Sequence, residues 1–331
     1  QRAIASWVQH YAGKKIILNW SRDFMGFELN KSYSGFTLTQ KEEIAELKSL
    51  GLFFKHDTGA ELLVLENDDD NKVFSATFRT PPENDTGIAH ILEHSVLCGS
   101  KNFPVKEPFV ELMKGSLQTF LNAMTFPDKT MYPVASRNRK DFFNLMNVYL
   151  DAVFYPNISE ETFKQEGWHY ELNSPEDKIV YKGVVLNEMK GEFSNPESCI
   201  DRQLAHSLFP STPYGYESGG DPKSIPDLTY ADFKGFHEKH YHPSNSRLFL
   251  YGDGDTQSYL EFLQEKYLQD FARIDVNTSI AHQRSFRKPK RKSLTYPISS
   301  HESLEKKTYV LLGYKLDKAI NHEHCLGFSI L

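Results

Sequence analysis

The sequence contains little cysteine, no long apolar run and no excess of positive charge, and each absence excludes a class of protein. Its three cysteines, Cys98, Cys199 and Cys325, are scattered and odd in number, which favours reduced thiols over a disulfide framework. Without a run of about 18 apolar residues, no segment is expected to span a membrane. With 38 Lys and Arg against 44 Asp and Glu, the chain lacks the basic surface that nucleic-acid partners require.

What the sequence does contain is enough apolar material for a folded core. Of its 331 residues, 39% are hydrophobic, and a chain of this length suggests about two domains. Residues 1–17 lack the apolar core of a secretory signal. Residues 325–331 are still apolar at the last position, so we expect an N-terminal piece of a longer protein.

The spacing of apolar residues predicts both helices and strands. Helices are predicted at 39–50, 87–98, 109–121 and 140–154, and strands at 60–65, 73–79, 248–251 and 308–314. Residues 215–222 and 252–255 are interpreted as loops. Residues 284–292 hold six basic residues in nine and are interpreted as a solvated linker. This order indicates an α+β or α/β domain followed by the start of a second domain.

The most informative segment runs from His90 to His94 inside the predicted helix 87–98. A rotation of about 100° per residue places two sets of side chains on opposite faces. Ile88, Ile91, Leu92 and Val96 form the core side, and His90, Glu93, His94 and Leu97 form the other. Two imidazoles four residues apart can bind one metal ion with Glu93 beside its water, and this H-x-x-E-H order is typical of inverted zincins. The alternative for the pattern alone is an ordinary solvated helix face.

A catalytic zinc needs a third protein ligand as well as an open position for water. The best candidates are Glu188 and Glu192, which are four residues apart and therefore share one face of a helix. Either carboxylate can reach a metal ion held by the histidines. The alternative is an exposed acidic face beside Lys190.

Four long stretches then make the sequence recognisable: residues 78–100 (FRTPPENDTGIAHILEHSVLCGS), 106–136 (KEPFVELMKGSLQTFLNAMTFPDKTMYPVAS), 141–156 (DFFNLMNVYLDAVFYP) and 181–194 (YKGVVLNEMKGEFS). Through them, residues 45–275 resemble the M16 (pitrilysin-like) metallopeptidases, and within these the presequence protease and falcilysin subfamily. The resemblance implies an α+β fold, the M16 (LuxS/MPP-like) domain, with a mixed and mainly antiparallel sheet flanked by helices.

The resemblance also implies the cofactor and the role of each site residue. Zn2+ is the expected cofactor, with His90 and His94 as ligands and Glu93 as the general base. The third ligand of the family falls on Glu188, which leaves Glu192 as a neighbour of the site.

The resemblance further implies where a substrate is held. Leu97, Phe109, Val110 and Met113 match an apolar pocket for the residue beside the scissile bond, with plain core packing as the alternative. Asn122 and Ala123 match an edge strand to which such enzymes pair the substrate backbone. For Asn122, a buried structural amide is the alternative.

These expectations combine into a prediction for the whole chain. An N-terminal extension (1–45) precedes a catalytic domain (46–275), a basic linker (276–295) and the start of a second M16-like domain (296–331). The predicted function is zinc-dependent hydrolysis of unstructured peptides, such as cleaved targeting peptides, in a mitochondrial matrix, plastid stroma or bacterial cytoplasm. Because the C-terminal half of the family is missing, the chain alone is expected to bind zinc but to cleave poorly. A non-catalytic M16-like scaffold and an inactive truncated product are the alternatives.

Overall fold

The computed structural model describes residues 26–105, 108–316, 318 and 321–330, without the side chains of residues 108–110 and 322. The strands are β1 (Ser32–Tyr33), β2 (Phe36–Ile44), β3 (Ser49–His56), β4 (Glu61–Glu66), β5 (Lys72–Arg79), β6 (Gln118–Leu121), β7 (Met124–Thr125), β8 (Lys129–Ser136), β9 (His169–Glu171), β10 (Val180–Lys182) and β11 (Ser246–Gly252). The helices are α1 (Ile88–Val96), α2 (Pro108–Gly115), α3 (Arg139–Phe154), α4 (Glu160–Glu166), α5 (Val184–Glu192), α6 (Pro196–Leu208), α7 (Tyr230–His240), α8 (Thr256–Lys266) and α9 (His322–Ile330).

One nine-stranded sheet organises the fold. Its order is β1-β2-β3-β4-β11-β5-β8-β6, and β7 also pairs with β8. Strand β11 is parallel to β4 and antiparallel to β5, and the other pairs in the sheet are antiparallel. Strands β9 and β10 form a separate antiparallel pair. The predicted mixed, mainly antiparallel sheet flanked by helices is therefore confirmed.

The core lies between the sheet and the helices that cover it. Phe74, Ala76 and Phe78 alternate along β5 and are fully buried, as expected for a strand with one face on the core. Helix α3 packs on β5 and β8 and buries residues at helical spacing, among them Leu145 and Tyr149. Helix α1 packs against α4, α7, β7 and β8. This packing fixes the helix that carries the H-x-x-E-H segment.

One predicted helix is wrong, and another is shorter than predicted. Residues 39–50 were expected to be helical, but the chain forms β2, a short 3-10 turn (Ala45–Leu47) and the start of β3. Phe36 and Leu38 alternate with Thr37 and Thr39 on the half-buried sheet, and pairing with β3 outweighs the helix-forming Glu and Lys residues that follow. The predicted helix 109–121 ends at Gly115, and its last four residues form β6.

The segment 308–314 is not the buried strand that its apolar residues predicted. It has no regular secondary structure, and Val310 and Leu312 are 84% and 76% exposed. Between Phe271 and residue 321, the described residues form neither a helix nor a strand. The predicted boundaries of the linker and of a second domain stay predictions. None of the helices described is both long and apolar enough for a membrane span.

Candidate metal centre

Helix α1 carries the two histidines on the side opposite to its buried, core-facing side. Its core side is buried as predicted, with Ile91, Leu92 and Val96 fully inaccessible. The residue before the helix is Gly87, whose φ of 68° lies in the left-handed region that favours glycine. On the opposite side the imidazole rings of His90 and His94 lie 4.9 Å apart, nearly perpendicular to each other. These side chains are 18% and 24% exposed, so they lie in a recess and can still be reached.

Helix α5 brings Glu188 to the same place. Its Oε2 atom lies 3.7 Å from Nε2 of His90 and 3.6 Å from Nε2 of His94. One ligand atom from each of the three residues lies within 4.8 Å of the others. In the part of the chain that the structure describes, no other three His, Cys, Asp or Glu side chains converge in this way. The carboxylate is 49% exposed, which leaves one side of the group open.

The donor set fits a zinc ion. Zinc binds imidazole nitrogen and carboxylate oxygen tetrahedrally, and ligands about 2.1 Å from the ion are then roughly 3.4 Å from each other. The separations of 3.7 and 3.6 Å from the Glu188 oxygen to the two imidazole nitrogens are close to this value. Three ligands with an open side match the catalytic arrangement of zinc better than the closed, four-ligand structural one.

The far nitrogen of each imidazole has its own partner. Nδ1 of His94 lies 3.2 Å from Oε2 of Glu166, at the end of α4, and Nδ1 of His90 lies 3.1 Å from the backbone oxygen of Gly219. Both partners are hydrogen-bond acceptors, so a neutral imidazole donates its proton from Nδ1 and leaves the lone pair of Nε2 on the side of Glu188. Sequence reasoning missed both Glu166 and Gly219, since neither belongs to the H-x-x-E-H pattern.

The charges around His94 and Glu166 act on both groups. Burial lowers the pKa of His94, but the hydrogen bond with Glu166 and the charges of Glu188 and Glu93 outweigh burial and raise it. Burial likewise raises the pKa of Glu166, and the hydrogen bonds with His94 and Gln165 outweigh it and lower the pKa. The carboxylate of Glu166 is therefore held ionised behind the imidazole. The Sγ atom of Cys98 also lies 3.7 Å from Oε1 of Glu166.

Glu93 is the one acidic residue of α1, and it is buried. It is 8% exposed and occupies the turn between the two histidines. The pKa of the buried Tyr149 is raised mainly by burial and, second, by the negative charge of Glu93. Glu93 lies on the same helix as the two histidines and is shielded from bulk water, a position that suits a group that transfers protons.

Glu192 is turned away from the histidines. Its Oε2 atom accepts a hydrogen bond from Ser198 at 3.5 Å and lies 3.8 Å from the guanidinium of Arg202. Of the two glutamates that the sequence left open, Glu188 is the one that lies against both imidazoles.

Asn122 and Ala123, two of the predicted substrate-binding residues, lie at the edge of the sheet. Strand β6 is the last strand of the sheet, and Asn122 and Ala123 follow it directly. The backbone of Asn122 is already paired, since its N–H donates to Pro133 and its oxygen accepts from Tyr149 Oη. Its side-chain Oδ1 accepts from the Ala123 N–H. Asn122 itself is exposed, so it is not a buried amide.

The predicted apolar pocket is described only in part. Leu97 is partly buried and packs against the core, whereas Met113 is 48% exposed on α2. The side chains of Phe109 and Val110 lie outside the described residues. A pocket formed by these four residues stays a prediction.

Two protein-family models match the chain. One, described as Insulinase (Peptidase family M16), matches residues 78–193, and the other, described as Peptidase M16 inactive domain, matches residues 227–331. The chain belongs to the M16 peptidase family. His90, Glu93, His94 and Glu188 all fall within the first of the two matched ranges.

Curated relatives within the family are much longer than this chain. Protein HypA of Clostridium perfringens is 54% identical over 310 residues, which cover 93% of this chain and 32% of HypA. Presequence protease 1, chloroplastic/mitochondrial, of Arabidopsis thaliana is 53% identical over 302 residues, 89% of this chain and 28% of that protein. The mitochondrial presequence protease of Xenopus laevis is 42% identical over 306 residues, 91% and 30% of the two chains. The chain thus spans about a third of the length of these relatives.

Solved structures share the fold at low sequence identity. Pitrilysin superposes with a TM-score of 0.55 at 16% identity, over 74% of this chain and 25% of pitrilysin. A protease from Helicobacter pylori gives a TM-score of 0.52 at 20% identity, over 70% and 52% of the two chains.

Proposed function

We propose that the chain carries the zinc site of an endopeptidase that hydrolyses unstructured peptides. The observation that supports this most directly is the convergence of Nε2 of His90, Nε2 of His94 and Oε2 of Glu188. These three residues would hold the zinc ion. A non-catalytic scaffold has no use for an enclosed Glu93 beside such a ligand set, so the peptidase is the better reading of the geometry.

The residues divide the chemistry among themselves. Zinc, when bound, polarises the scissile carbonyl and lowers the pKa of a coordinated water. Glu93 takes a proton from the attacking water as general base and delivers it to the departing amine as general acid. Glu166 and the Gly219 carbonyl keep the Nδ1 proton on each imidazole, so that Nε2 stays available as a donor.

An extended peptide as substrate is supported by β6, whose outer edge pairs with no other strand among the described residues. A peptide added as a further strand is recognised mainly through its backbone, so diverse unstructured sequences are accepted. Because Asn122 uses Oδ1 internally, its side-chain amide N–H groups are what it offers to such a peptide. Two relatives are named presequence proteases, and we include cleaved targeting peptides among the substrates.

The proposal extends to partners and location. Relatives about three times as long contain further chain, and a C-terminal half is proposed to complete the substrate chamber. The names of the plant and frog relatives favour a mitochondrial matrix or plastid stroma, and the clostridial relative a bacterial cytoplasm.

Metal content and peptide cleavage of the purified chain test the proposal together. The wild-type chain should bind one zinc ion per molecule, and Glu188→Gln should weaken zinc binding because it removes a charged ligand. Glu93→Gln should keep the zinc and lower peptide turnover at least about 100-fold, since it removes the general base. Whatever turnover the chain shows on an unstructured peptide should disappear on addition of a chelator.

Glu238→Gln is the matched control because it removes an exposed carboxylate on α7, where Glu238 pairs with Lys234. It should bind zinc as tightly as the wild type. The proposal is wrong if the wild-type chain binds no zinc, or if Glu188→Gln and Glu238→Gln bind it equally well.

A further inference from the structure

The loop of residues 215–221, here called the glycine loop, packs against the start of α1. The backbone oxygen of Gly219 accepts a hydrogen bond from Nδ1 of His90 at 3.1 Å. A methyl group on Gly87 would lie 2.7 Å from that same oxygen, so the contact is tight. The N–H of Asp221 also donates to the backbone oxygen of Asp85 at 2.8 Å. The loop is thus joined to α1 at its first turn and immediately before it.

Glu217 holds the glycine loop in shape from within. Its Oε1 accepts from the N–H of Gly219 at 3.1 Å, and its own N–H donates to Oδ1 of Asp85 at 2.7 Å. Its Oε2 accepts from Nε of Arg202 at 2.6 Å. The two side chains of this ion pair are 24% and 20% exposed, so the pair is shielded more than a typical surface ion pair.

Arg202 connects the loop to the helix that carries Glu188. Its guanidinium lies 3.8 Å from the ring centroid of Phe193, the residue that ends α5, and 3.8 Å from Oε2 of Glu192. A stacked guanidinium is oriented by the ring as well as by its carboxylate partners. Arg202 on α6 therefore contacts both the end of α5 and the glycine loop.

We propose that the Arg202–Glu217 ion pair positions His90 as a metal ligand. It fixes the glycine loop so that the Gly219 oxygen holds the Nδ1 proton of His90 and Nε2 points at Glu188. Arg202 and Glu217 are positioning residues and touch neither the metal ion nor the substrate. This inference rests on the proposed function, because it treats His90 as a zinc ligand.

The physical reason is the cost of a misdirected ligand. A histidine whose second nitrogen has lost its partner can rotate or change tautomer, and loss of such partners typically weakens metal binding 10–100-fold. Here the partner is a backbone oxygen and cannot be deleted by a side-chain change. It can only be displaced by releasing the loop that carries it.

The experiment measures zinc affinity by chelator competition for wild type, Arg202→Met, Glu217→Ala and Glu217→Gln. We expect the dissociation constant to rise about tenfold or more in Arg202→Met and Glu217→Ala. Glu217→Gln keeps an oxygen for the Gly219 N–H and should fall between these variants and the wild type. Arg247→Met is the control, since it removes another ion pair, to Glu61 at 2.8 Å on the sheet, and should leave zinc affinity within twofold.

A second readout needs no metal. With 15N-labelled histidine, the metal-free wild type should show His90 as the Nδ1–H tautomer, and Glu217→Ala should show a mixture of tautomers. Circular dichroism checks that each variant is folded. If Glu217→Ala is not folded, Glu217→Gln replaces it in both measurements. Unchanged zinc affinity and an unchanged His90 tautomer in folded Arg202→Met and Glu217 variants would overturn the inference. Failure of the wild type to bind zinc refutes the proposed function instead, and the tautomer measurement still decides the role of the ion pair.

Discussion

Nδ1 of His94 lies 3.2 Å from a carboxylate oxygen of Glu166, whereas the corresponding atom of His90 faces a neutral backbone oxygen. The two imidazoles of the candidate centre are therefore held by partners of different charge. An anionic partner makes the ring a stronger electron donor than a neutral one does. His94 is expected to be the stronger of the two nitrogen ligands.

Glu166→Ala should weaken zinc binding by about 10–100-fold, because it removes the group that orients His94 and raises its basicity. Chelator competition on the purified chain measures the change. Glu160→Ala is the matched control: it removes a glutamate from the same helix, one that pairs with exposed Lys164. Equal zinc affinity in the two variants would contradict the role given to Glu166.

Tyr149→Phe should weaken peptide binding more than it slows the chemical step. The Tyr149 hydroxyl donates to the backbone oxygen of Asn122 from a fully buried position, and so fixes the end of the edge strand. We expect KM to rise with little change in kcat, and the free energy of unfolding to fall by about 1 kcal/mol. Tyr155→Phe, which loses a hydrogen bond to Asp270 instead, is the control. A loss confined to kcat would contradict this prediction.

Acid should destabilise the fold through His240. Burial, with the charge of Lys239 second, lowers the pKa of His240 from 6.5 to about 4. The unfolded chain therefore binds a proton between pH 6.5 and about 4 that the folded chain does not. The stability from this residue is complete above pH 6.5 and decreases as the pH falls towards 4, by at most about 3 kcal/mol.

Urea unfolding at several pH values measures this effect. His240→Leu should flatten the dependence of the unfolding free energy on pH between 6.5 and 4. His169→Gln, a change at a partly exposed histidine, should leave the dependence as it is in the wild type. An equally steep loss of stability in His240→Leu would assign the acid sensitivity to other groups.

Leu92→Ala should destabilise the domain strongly. Leu92 is fully buried on the core side of α1, and a leucine-to-alanine change in a core costs about 2–5 kcal/mol. Leu117→Ala, at a residue that is 65% exposed, should change the unfolding free energy by less than about 0.5 kcal/mol. Urea unfolding at pH 7 compares the two. Similar losses in both variants would mean that α1 is not anchored through Leu92.

The spacing of residues within α1 predicted the helix that carries the two histidines. The groups that contact their Nδ1 atoms come from distant parts of the sequence and were not predicted. The two faces of α1 follow from residue spacing alone, which is why His90 and His94 were found from the sequence. Glu166 is 72 residues from His94 and is the last residue of a seven-residue helix, and no motif in its neighbourhood marks it. Gly219 contributes a backbone oxygen, which no residue type encodes.

The wrong predictions have the same origin. Residues 39–44 contain good helix formers, yet pairing with β3 makes them a strand, because strand formation depends on a partner. Residues 308–314 are rich in strand-forming side chains, but they pair with no strand among the described residues and stay irregular.

The position of strand β11 in the sequence also determines when the central sheet can be completed during synthesis. It fills the gap between β4 and β5, although about 170 residues separate it from β5 along the chain. During synthesis, His90, His94 and Glu188 of the candidate centre leave the ribosome before this central strand does, because all three precede residue 246. Helices α1 and α5 are therefore synthesised before the sheet can close, and the sheet stays interrupted until residue 252 leaves the exit tunnel.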